Sequence, residues 1–165
     1  MADKDGVLDW IGLGARLILG GMWTYAGALK ITNLEANLVA VEAYQLPIPA
    51  GLEKAIGYAQ PPIELAVGIM LLLGFFTRIN ALLTAIAMIA FIGGISWAWS
   101  KGLEIDCGCF STGGELPPNV EPTYLLDILR DVGFLIQAGY LIWRPHSKFA
   151  LDNKLFPPIV RERTS

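Results

Sequence analysis

PPIELAVGIMLLLGFFTRINALLTAIAMIAFIGGISWAWS, residues 61–100, contains only two charged residues, Glu64 and Arg78. An apolar run this long exceeds what the core of a small soluble domain can use, and it is long enough to cross a bilayer twice. Thr77 and Arg78 divide it, so the stretch reads as parts of two spanning helices, over about 55–76 and 79–100. The first opens with Pro61 and Pro62 in its early turns and carries Glu64, and the second ends in Trp97 and Trp99, residues that favour the membrane interface.

Working outward, residues 8–31 form another apolar block with Arg16 embedded and Lys30 at its far end, and residues 124–143 form a fourth. Between the first two blocks, Leu34, Leu38, Val41 and Tyr44 recur at helical spacing until Pro47 and Pro49, which suits a short amphipathic helix lying at the interface. The expected architecture is therefore all-α. It is a membrane four-helix bundle, one domain over residues 1–165, with a short interfacial amphipathic helix between the first two spans and a polar tail from 144 to 165.

Composition agrees with this reading. The chain is 54% hydrophobic and 16% charged, with mean hydropathy +0.51, whereas soluble domains are nearer one quarter charged. A net charge of −3 and a pI near 5.1 leave no basic stripe for nucleic acid. The acidic start, MADKDG, lacks the basic n-region of a signal peptide, so the first apolar block is expected to stay as a helix. Lys4, Arg78, Arg144, Lys148, Lys154, Arg161 and Arg163 fall on one side of the expected membrane, and Lys30, Lys54 and Lys101 on the other. The positive-inside rule then places both termini in the cytoplasm and the loop between the third and fourth spans outside.

That outer loop holds Cys107 and Cys109, the only two cysteines, one residue apart across Gly108. At an oxidising face such a pair suggests a disulfide. The ring it closes is small and strained, and strained exposed disulfides are the labile, exchanging ones. A structural staple and a soft-metal site remain alternatives, although the chain has no cluster of His or Met nearby to complete a metal shell. Because Asp106 adjoins Cys107, like charge disfavours a thiolate there and points to Cys109 as nucleophile. His146, the sole histidine, falls on the cytoplasmic side and reads as an interface residue.

The embedded charges are the second signal, since ionisable groups in a bilayer are costly unless paired or lining a cavity. Arg16 and Glu64 each lie about 12–15 Å from a membrane face at 1.5 Å per residue, which makes them candidate partners near the midplane and candidate holders of a quinone head group. Asp127, Arg130 and Asp131 share neighbouring positions on the fourth span, beneath the cysteine loop. They serve either to lock the bundle or to tune the thiols. Gly20, Gly21, Gly93 and Gly94 read as close-packing positions.

Several strings together resemble the DoxX-like membrane proteins and, within them, the MauE branch. They are RLILGGMWTYAGALKI (16–31), VEAYQLP (41–47), PPIELAVGIMLLLGFFTR (61–78) and CGCF (107–110), the last followed by Ser111 in place of the expected Gly. The resemblance implies a four-helix membrane protein that works with a thioredoxin-like or disulfide-forming partner outside the membrane. The expected function is a thiol–disulfide redox component using Cys107 and Cys109, with a quinone as the acceptor that redox logic suggests. The alternative is an accessory subunit of a larger membrane complex, such as a respiratory one, with a passive disulfide. A small-solute transporter using Arg16 and Glu64 ranks third, since four helices leave little room for a pathway.

Overall fold

The computed structural model describes residues 2–108, 113–117 and 119–155. Four long helices dominate it: α1 (Ala2–Ile31), α3 (Ala50–Leu73), α4 (Thr77–Lys101) and α5 (Tyr124–Trp143). A shorter α2 (Leu34–Ala43) follows α1, a turn of helix α6 (Asp152–Leu155) lies near the end, and β1 (Ile105–Asp106) pairs antiparallel with β2 (Gly114–Glu115) in the loop before α5. Among the described residues that ribbon is the one departure from an all-helical reading.

The helix bounds differ most from expectation where polarity and helicity part company. α1 begins at Ala2, well before residue 8, in a turn whose sequence is too polar for lipid. α3 begins at Ala50 behind Pro49 rather than at 55, so Pro61 and Pro62 lie in mid-helix and not in its first turns. Pro61 has no N–H to give the Gly57 carbonyl. Asn37 Nδ2 on α2 donates to that carbonyl at 2.7 Å, so the helix defect becomes the tie that fastens α2 to α3. At its other end α3 closes on Gly74, at φ 67°, where Gly74 N–H and Phe75 N–H donate to Leu71 and Met70 carbonyls.

α1 and α3 pack antiparallel at very short range. A Cβ on Gly20 would meet Leu72, one on Gly68 would meet the backbone of Thr24, and one on Gly27 would meet the backbone of Leu65. Of the glycines expected to permit close contact, Gly20 does so. Gly21 and Gly93 face open space, Gly94 meets only the Tyr44 ring, and Gly27, Gly57 and Gly68 supply the close approaches instead. α4 packs along α5, whereas α3 and α4 diverge from their shared turn. The core between the helices centres on Leu19, Leu71, Ala81, Met88, Ala138 and Leu141.

α3 and α4 are long and apolar enough to cross a membrane. α5 carries three charged residues and α1 is diluted by glycine and embedded charge. The outward faces are nevertheless apolar: Leu125, Leu126, Leu129 and Ile136 on α5 and Ile79, Ile86 and Ile89 on α4 are exposed, while Arg16, Lys30, Glu64 and Asp131 are buried. Water would favour the reverse arrangement. The pattern is that of a protein surrounded by lipid.

The segment after α5 is not simply a solvated polar tail. Ser147 and Ala150 are buried, Asn153 Nδ2 donates to the Ser147 carbonyl, and Asp152 N–H donates to the Gly74 carbonyl at 2.9 Å. Asp152 also accepts from the N–H groups of Phe76 (2.8 Å) and Thr77 (2.7 Å), capping α4 from far along the chain. Phe76 at the cap position has no side-chain acceptor of its own. Arg144 and Tyr140 tie the end of α5 to Asp9 and the Leu8 carbonyl on α1.

Candidate functional site

The loop after α4 is built to hold one sulfur in place. α4 ends on Gly102, at φ 65°, and the buried Tyr124 hydroxyl, from the first turn of α5, donates to the Leu103 carbonyl and accepts from Ile105 N–H. Asp106 Oδ1 accepts from Gly108 N–H at 2.9 Å, shaping a turn in which Gly108 takes φ 69°. Side chains rarely adopt that conformation, which accounts for glycine between the cysteines. The Cys107 carbonyl accepts from Tyr44 Oη, which reaches it from the end of α2 at 2.9 Å.

Beneath the loop, Arg130 gathers three of the expected groups. Its Nη1 donates to Asp127 Oδ1 at 2.9 Å, its Nε and Nη2 donate to Asp131 Oδ1 at 3.0 and 2.9 Å, and Nη2 lies 3.7 Å from Cys107 Sγ. Thr123 Oγ1 steadies Asp127 from the other side. The structure therefore brings Cys107, Asp127, Arg130 and Asp131 together. Cys109 lies outside the described residues. Asp131 is 1% exposed, and its Oδ2 has no hydrogen-bond partner among the described residues. A void of about 10 Å³ separates Arg130 and Asp131 from Glu64, room for about one water.

Arg16 and Glu64 do not pair. Glu64 accepts from Lys30 Nζ at 3.1 and 3.2 Å and from Gln60 Nε2 at 2.7 Å, and both Lys30 and Glu64 are 3% exposed. Arg16 instead donates from Nη1 to Ser147 Oγ at 2.9 Å and from Nη2 to the Lys148 carbonyl at 3.3 Å. The reason is the register of α1 against α3. Gly20 meets Leu72, Thr24 meets Gly68 and Gly27 meets Leu65, so Lys30 falls near Glu64 and Arg16 falls beside the Gly74 turn, where its Nη1 fills the space a Cβ would need. Depth counted from each helix start could not supply that register. Lys30, read as a charge at the end of a span, is a site residue that sequence reasoning missed, as are Gln60 and Tyr44. The spacing of Lys30 from Arg16, fourteen residues and nearly four helical turns, puts both on one face and was the available signal.

Between the diverging α3 and α4 lies a groove of about 570 Å³, walled by Trp23, Gln60, Glu64, Thr84 and Phe91 and rimmed by exposed Ile63, Leu83 and Ile86. A second cavity of about 170 Å³ shares Ile56, Gln60, Ala90 and Phe91 with it and ends at Cys107 and Gly108. Trp23 Nε1 donates to Thr84 Oγ1 at 3.0 Å, and Thr84 donates on to the Asn80 carbonyl, so the groove floor is fixed by hydrogen bonds.

Among curated proteins and among solved structures the comparisons find no match. The family model described as methylamine utilisation protein MauE matches residues 8–144, which takes in most of α1, the other three long helices, the Cys107 loop and the Arg130 cluster. The chain belongs to the MauE family.

Proposed function

We propose that this MauE-family protein crosses the membrane four times and exchanges electrons through Cys107 and Cys109 with a thioredoxin-like protein outside it. The observation that carries the reading is the Arg130 guanidinium 3.7 Å from Cys107 Sγ, held there by two carboxylates. A cation beside a sulfur stabilises the negative charge that develops as it attacks or leaves. Asp106, which alone would argue against charge on Cys107, has an oxygen engaged by Gly108 N–H. On this reading Cys107 carries the thiolate and Cys109 pairs with it, the reverse of the order that Asp106 suggests from sequence.

In exchange, a partner thiolate attacks the Cys107–Cys109 disulfide. One S–S bond breaks as the mixed S–S bond forms, the departing thiolate stays on this chain, and the partner's second thiol resolves the intermediate. The partner leaves oxidised and the pair here reduced. The family's association with methylamine utilisation supports a role in maturing proteins of that process. Orientation rests on charge: with Lys30 paired inside the bundle, Lys54 and Lys101 are the cations left on the loop side, against Arg78, Arg144, Lys148 and Lys154 on the other.

Trapping tests this reading. With Cys107→Ser and Cys109→Ser variants in native membranes, an acid-quenched mixed disulfide with an extracytoplasmic protein is expected in one variant and absent in the double variant. Partner oxidation proceeding normally in all three would show the cysteines to be passive, as in an accessory subunit.

A further inference from the structure

Arg130 is one positive charge shared three ways. Its guanidinium donates to Asp127 and Asp131 and touches Cys107 Sγ, so with the sulfur neutral the cluster already carries one more negative charge than positive. In the exchange proposed above, reduction leaves a thiolate on Cys107 and adds another. The same nitrogen, Nη2, serves both the sulfur and Asp131 Oδ1, so the new charge competes with that carboxylate for its cation. Other charges facing the cluster give no relief. Asp106 adjoins Cys107 in the loop, and Glu64, which lines the small void beside Asp131, has its charge matched by Lys30 from α1. From α1 and α4 that void is walled by Met22, Trp23, Ala26, Met88 and Phe91, none of which titrates.

The two carboxylates on Arg130 are not equivalent. Asp127 uses both oxygens, Oδ1 on Arg130 Nη1 and Oδ2 on Thr123 Oγ1, and its side chain is 13% exposed. Asp131 is 1% exposed and accepts two hydrogen bonds on Oδ1, while Oδ2 has no partner among the described residues. A buried charged group with an oxygen lacking a donor is costly. A proton on Oδ2 removes that charge and leaves both Arg130 bonds on Oδ1 in place.

We infer that Asp131 takes up a proton when the cysteine pair is reduced and releases it when the disulfide re-forms, which holds the charge of the Arg130 cluster constant through the cycle. The inference rests on the thiol–disulfide reading. The step balances. The partner dithiol gives up two electrons and two protons as its own S–S bond forms, and the Cys107–Cys109 bond breaks. One proton goes to the Cys109 thiol and one to Asp131, while Cys107 stays a thiolate against Arg130. Asp131 therefore acts through the cation it shares with the sulfur rather than by touching the sulfur, which makes it a positioning residue for charge.

Two readouts on the full chain in lipid nanodiscs, poised with a dithiothreitol buffer, test this. Infrared difference spectra between the reduced and oxidised protein at neutral pH are expected to show the carbonyl band of a protonated carboxyl group in the reduced state, shifting in heavy water. The band should be absent in Asp131→Asn, a variant that keeps an oxygen for Arg130 and matches the protonated acid in shape. Proton counting is the second readout. Each pH unit is expected to lower the equilibrium constant for reduction about a hundredfold in the wild type, two protons per pair, and about tenfold in Asp131→Asn, one proton per pair. A band that survives in Asp131→Asn, no band in the wild type, or equal proton counts in the two proteins would overturn the inference, while the reversible couple would leave the thiol reading standing. A pair with no reversible transition at all would overturn the thiol reading, and this inference with it.

Discussion

Arg130 and Lys30 are both cations among carboxylates, and they do different work. Arg130 is one quarter exposed and touches the sulfur. In the proposed exchange, replacing it with Gln removes the charge that stabilises the reduced pair, and the disulfide is expected to become harder to reduce. A tenfold loss of thiolate stabilisation corresponds to about 30 mV in a two-electron couple, and the potential of Arg130→Gln is expected to fall by roughly that amount. Alkylation of Cys107 by a membrane-impermeant maleimide should slow about tenfold at neutral pH, with Arg130→Lys in between. Lys30 is sealed against Glu64. Lys30→Met leaves a buried carboxylate without its cation, at a cost of about 3–5 kcal/mol, whereas the double change Lys30→Met with Glu64→Leu should recover most of it. Unfolding in mild detergent by a graded denaturant measures both, and equal losses in single and double variants would mean the pair is not coupled. The Arg130 cluster was legible because Asp127, Arg130 and Asp131 lie three and four apart on one helix. The Lys30 and Glu64 pair was not, because it depends on how two helices slide past one another, which is set by Gly20, Gly27 and Gly68.

At the scale of elements, hydropathy marks where a helix is apolar rather than where it begins and ends. α5 coincides with its apolar run, but α1 and α3 extend beyond theirs into polar turns. α4 depends on Asp152, seventy-five residues beyond Thr77 in the chain, to accept from its first free N–H groups. No pattern local to either segment signals that pairing. Asp152→Ala is expected to destabilise the fold by about 1–2 kcal/mol, the usual cost of a lost helix cap, and Asp152→Asn by less, measured as a drop in Tm in detergent. Thermal stability unchanged in Asp152→Ala would show that water replaces the cap. Asn37 is a second long-range tie of this kind, and its signal, a proline pair within an apolar helix, was present in the sequence but was read as a helix start.

For the whole molecule, an apolar exterior around buried charge places the chain in lipid, and the membrane character was plain from residues 61–100 alone. The parts meet at Cys107, whose sulfur lies 3.7 Å from Arg130 on α5 and which lines a cavity that reaches Gln60 on α3. The direct measurement is the redox midpoint of the cysteine pair in native membranes, by thiol trapping across a graded thiol–disulfide buffer. A reversible transition above about −300 mV, the upper bound for structural disulfides, and shifted downward in Arg130→Gln, is the expected result. A pair that stays oxidised below that potential, or that forms no disulfide at any potential, would contradict a working redox couple at Cys107.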